Sequence, residues 1–125
     1  MFSYFQNFSF FRRLNKVPNI NRGGCGYAAL IIMDELGGSP LFMSNSKLVT
    51  EEILNGKAPS HVIVEIDGAY YDSKGKVSKK KFDKLWDLRD ALIPATRKQL
   101  EDLLKNEKWN EDFNKEDLIQ AGFSL

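Results

Sequence analysis

The 125 residues contain one cysteine and one histidine, and each stands in a setting that suits chemistry. Cys25 lies in Asn21-Arg22-Gly23-Gly24-Cys25-Gly26-Tyr27-Ala28-Ala29-Leu30, where a glycine-rich loop gives way to an apolar helix. A helix start presents unpaired N–H groups and the positive end of the helix dipole. That setting favours thiolate over thiol, so Cys25 is expected to titrate below about 8.5. The neighbouring glycines let backbone N–H groups approach a carbonyl oxygen, as an oxyanion hole requires. His61 opens an alternating segment just after Ala58-Pro59-Ser60. Counted back from an Asp67-Gly68 turn, Ile66 faces Ala69, Val64 faces Tyr71 and Ile63 faces Asp72. His61 and Asp72 are then diagonal neighbours on one face, within reach of a carboxylate and an imidazole. The carboxylate would hold one ring nitrogen as N–H and leave the other as a base. Cys25, His61 and Asp72 thus supply nucleophile, base and orienting acid, with the sulfur expected beside the imidazole.

The elements that must position these groups follow from apolar spacing. Ala28 to Met33 and Leu36 make a helix that is apolar around most of its surface, closed by Gly37-Gly38, and so a central one. His61 to Asp72 reads as a β-hairpin, with Val62, Val64 and Ile66 on one face and His61, Ile63 and Glu65 on the other. A helix is expected from about Ser46 to Asn55, and another from Ser78 carrying Phe82, Leu85, Trp86, Arg89 and Leu92. Thr96 with Gln99 forms a capping box before Leu100, Leu103 and Leu104, and Asn114 starts a short last helix that ends at Gly122. The aromatic segment Phe2–Phe11 fits a half-buried strand and a helical stripe equally well. A surface membrane anchor is the lesser reading, since Arg12, Arg13 and Lys16 adjoin the aromatics.

Composition removes several classes. Lys plus Arg is 18 and Asp plus Glu is 17, a net charge of +1, so no global field selects nucleic acid or membrane as partner. A lone cysteine forms no intramolecular disulfide and builds no zinc site on paired CxxC motifs. No metal or other cofactor is implied, and no phosphate-binding loop is present, because Gly23-Gly24-Cys25-Gly26 lacks the closing Gly-Lys-Ser/Thr. Nothing approaches the roughly 18 apolar residues of a membrane span. The positive charge follows the apolar N-terminal part, the reverse of a secretory signal, so a cytoplasmic protein is expected. The lysines between Lys74 and Lys84 read as a solvated helix start, or as a basic rim toward a macromolecule.

Cys25-Gly26-Tyr27-Ala28-Ala29-Leu30, followed by Met33, is similar to the Cys-Gly-x-Ala-x-Leu helix start of bacteriocin-leader peptidases. His61-Val62-Ile63-Val64-Glu65, then Tyr71-Asp72-Ser73-Lys74-Gly75, resembles the His and Asp strands of those enzymes and of transglutaminase-like proteins. The resemblance covers roughly residues 19–36 and 60–75 and implies the papain-like cysteine peptidase superfamily. It implies a single α+β domain over 1–125, a Cys-bearing central helix on a small antiparallel sheet, and extra C-terminal helices. By the same resemblance Cys25 is the nucleophile, His61 the general base and Asp72 the orienting acid. These families often place a Gln six residues before the cysteine as an oxyanion donor; here that position is Asn19, and Asn21 competes with it. The expected function is cysteine-dependent acyl transfer, first hydrolysis of a peptide or isopeptide amide in a protein or peptide substrate. The alternatives are a catalytically silent papain-like fold that binds or inhibits a protein, and transamidation or deamidation.

Overall fold

The computed structural model describes residues 4–43, 59, 61–78, 92–106 and 109–124, with side chains from residue 9 onward. Helix α1 is Tyr4–Asn15 and α2 is Cys25–Leu36. Strands follow at Ser39–Met43 (β1), His61–Ile66 (β2), Ala69–Asp72 (β3), Gly75–Val77 (β4) and Leu92–Pro94 (β5). Helices Arg97–Leu104 (α3) and Lys115–Gln120 (α4) complete the described elements. The class is α+β. The strands form one antiparallel sheet in the order β4-β3-β2-β1-β5, with β2 at its centre.

The hairpin forms in the expected register. Val64 pairs with Tyr71 and Ile66 with Ala69, around a turn in which Asp67 (φ 50°) and Gly68 (φ 82°) are both left-handed. Two consecutive positive φ values define the type I′ turn for which Asp-Gly is suited. Alternation then splits the sheet into two faces. Phe42, Val62 and Val64 share a buried cluster with Cys25, Ala28, Ala29 and Ile32 of α2. Leu41, Met43 and Ile63 form a second buried cluster on the other face, with Tyr70, Val77 and Leu92 against it. Helix α2 packs across β1, β2 and β3 and against α3, which makes it the central helix the sequence implied.

The aromatic segment, open between strand and helix in the sequence, is helical over Tyr4–Asn15, and Phe10, Phe11 and Leu14 enter the core. Two expectations need correction. The sheet is larger than the single hairpin legible in the sequence, because β1, β4 and β5 join it. Leu92 lies in β5 rather than at a helix end. The helix expected at 46–55, the body of the one expected from Ser78, Trp86 and the lysines at 79–84 fall outside the described residues.

The C-terminal caps form as read. The Gln99 N–H donates to Thr96 Oγ1 at 3.1 Å, and the Thr96 N–H donates to Gln99 Oε1 at 2.8 Å. Thr96→Ala should therefore destabilise the protein by about 1 kcal/mol in urea denaturation. An unchanged midpoint would show that α3 is held by packing alone.

Candidate active site

The loop before α2 is built to bring backbone close to its neighbours. Asn19 is left-handed (φ 59°), and its carbonyl accepts the N–H groups of Arg22 and Gly24. Gly24 then stands as the residue before the first helical turn, with no side-chain cap. The Cys25 side chain is thereby directed into the core, where the residue is 5% exposed. Three backbone N–H groups, of Val62, Gly26 and Cys25 itself, are placed to stabilise its thiolate. Val62 is the residue after His61, so the fold carries the thiol to the start of the histidine strand.

His61 is buried and pairs with Met43 in the register. It therefore lies on the face of Ile63 and Leu41, whereas Cys25 packs with Val62 and Val64. Asp72, paired with Gly75 and out of phase with Tyr71, falls on the His61 face, as the hairpin count anticipated. Thiol and imidazole thus approach the first residues of β2 from opposite faces. The β2–β3 pairing runs from Ile66 to Val64, so the ladder on that side stops short of Val62. Asp72 Oδ1 also accepts the Lys74 N–H at 2.8 Å, which shapes the turn into β4.

The electrostatics differ from the helix-start expectation. Burial pushes the Cys25 thiol up from 9.0 to about 11, and the three N–H groups only partly oppose it. Taking a thiolate out of water costs more than one helix end returns. Burial likewise pulls His61 down from 6.5 to about 4, and the nearby Lys74 ammonium adds to the effect. Both groups are neutral at pH 7.

The two oxyanion candidates separate. Asn19 Nδ2 donates to the Asp112 carbonyl at 3.0 Å, which commits its amide to the C-terminal region. Asn21 Oδ1 accepts the Ser73 hydroxyl at 2.6 Å, which orients the amide and leaves Nδ2 as a donor. Ser73 is 1% exposed and was missed by sequence reasoning, although it directly follows Asp72. Also missed was Phe113, whose ring packs against Gly24, while Trp109, which reads as a core anchor in the sequence, packs its ring against Gly26. Only the glycines themselves hinted at such close neighbours.

Among the described residues, no group of three or more His, Cys, Asp or Glu could hold a metal ion, and no helix is long and apolar enough to cross a membrane. No family model, curated protein or solved structure matches this chain.

Proposed function

We propose that the protein performs cysteine-dependent acyl transfer, with hydrolysis of a peptide or isopeptide amide as the principal reaction. The observation that carries this reading is that the Cys25 thiol, at a helix start, meets the backbone N–H of Val62, the residue that follows His61 in β2. Cys25 Sγ attacks the carbonyl carbon while His61 accepts the thiol proton. The developing oxyanion is met by the N–H of the helix start and by the side-chain amide of Asn21. Collapse breaks the C–N bond, and His61 returns the proton to the leaving amine. Water, with His61 again as base, then hydrolyses the thioester and releases the acid. An amine in place of water would give transamidation. Because both groups are neutral when free, the thiolate–imidazolium pair forms during attack and is not stored beforehand.

Burst acylation by p-nitrophenyl acetate tests this. One equivalent of nitrophenolate should appear, with a matching mass increase that Cys25→Ala abolishes and His61→Asn slows by about 100-fold or more. A native protein that acylates no faster than its unfolded chain would reject the reading. That result would support the second one, a silent module that binds a protein, which is favoured by the buried thiol and its high titration range.

A further inference from the structure

The segment 109–113 lies outside the stretches that resemble known peptidases, yet it touches both chain segments that carry the candidate nucleophile and base. The Trp109 ring lies on Gly26, where an added Cβ would stand 2.9 Å from ring atoms. The same indole donates its Nε1–H to the Pro59 carbonyl at 2.9 Å, two residues before His61. The Phe113 ring covers Gly24, 2.6 Å from an added Cβ, and the Asp112 carbonyl takes the Asn19 amide. The segment is itself fixed: the Trp109 N–H donates to Asn106 Oδ1 at 3.1 Å, and Asn110 Nδ2 donates to the Leu104 and Asn106 carbonyls. One side chain therefore meets the residue after Cys25 and the approach to His61 together.

Resting on the acyl-transfer reading, we infer that Trp109 is a positioning residue, whose ring and indole N–H fix the start of α2 and the start of β2 in one geometry. An indole hydrogen bond from a half-buried ring to a buried proline carbonyl is directional, so it sets distance and angle where packing alone would set only distance. The segment acts as a bracket across the site. Losing the N–H frees residues 59–61 to shift, and shifts near 1 Å at a reacting pair carry large rate costs. The same freedom admits water beside His61, which feels the Lys74 ammonium and shares its strand face with Asp72 by register alone.

The single cysteine and single histidine make the test site-specific. Trp109→Phe in the full chain removes the donor and keeps a smaller aromatic ring in place of the indole. Cys25 acylation by p-nitrophenyl acetate should fall by about 10- to 100-fold. The lone imidazole NMR signal should titrate closer to pH 6.5 than in the wild type. Leu104→Ala is the comparison, since Leu104 packs on the same Gly26 and, being aliphatic, offers the Pro59 carbonyl no hydrogen bond. It should lower the melting temperature while leaving the His61 titration in place. Should Trp109→Phe leave that titration at the wild-type position, Trp109 is packing only and the inference is overturned. A wild type that is not acylated would defeat the acyl-transfer reading, while the His61 signal still decides whether Trp109 fixes the strand start.

Discussion

Lowering the pH from 6.5 to 4 should remove about 3 kcal/mol of folding stability through His61 alone. The buried imidazole refuses a proton in the folded state down to about pH 4, whereas the unfolded chain accepts one near 6.5. Between those values the unfolded state binds more protons, so stability is full above 6.5 and is lost as the pH falls to 4. Urea denaturation of the wild type and of His61→Gln at pH 7 and pH 4 isolates the effect, because the carboxylates contribute to both proteins. The wild type should lose about 3 kcal/mol more than the variant. Equal losses would mean that His61 is not held neutral by burial. Cys25 closes the window from the other side. Its folded value is raised, so its contribution is complete below pH 9 and declines as the pH rises toward 11.

Gly24→Ala should cost about 3 kcal/mol, at the upper end of what overpacking imposes. The backbone is not the obstacle, since φ at Gly24 is −99° and suits any residue. Space is the obstacle. A Cβ would stand 2.6 and 2.7 Å from two Phe113 ring atoms and 2.8 Å from the Ile20 Cα. The ring has little room to retreat, being stacked on Tyr27 at 5.4 Å, and the Ile20 contact is with backbone. Chemical denaturation reads the loss directly. A variant as stable as the wild type would show that Phe113 packs on the nucleophile loop more loosely than described.

The parts of this fold that were legible in the sequence are those with strong local signals. The α2 boundaries follow from Gly24 and Gly37, the hairpin register from Asp67-Gly68, and the C-terminal caps from Thr96 and Asn114. Strands β4 and β5 are three residues each, too short for a period of two to register, and β1 reads as an apolar run that fits strand or helix. The helix α1 was undecidable because Phe2 to Phe11 satisfies both periods. Within the site, the shared face of His61 and Asp72 was readable by counting. The titration of Cys25 was not, because it depends on how much protein covers the thiol, and that cover comes from distant segments. Which of Asn19 and Asn21 stays available was equally hidden, since Asp112 and Ser73 decide it.

The bonds that hold the site are long in sequence. Asn19 meets Asp112 across 93 positions, Asn21 meets Ser73 across 52, and Trp109 meets Pro59 across 50. Such closures come late in folding, because each must first overcome the entropy of a large loop. On the ribosome, chain growth imposes the same order. The glycine loop and its thiol emerge before the histidine strand, and the bracketing tryptophan after both. A nascent or truncated chain therefore carries the sulfur without the geometry around it. Any chain cut before Trp109 lacks the contacts that tie the thiol loop to the start of the histidine strand.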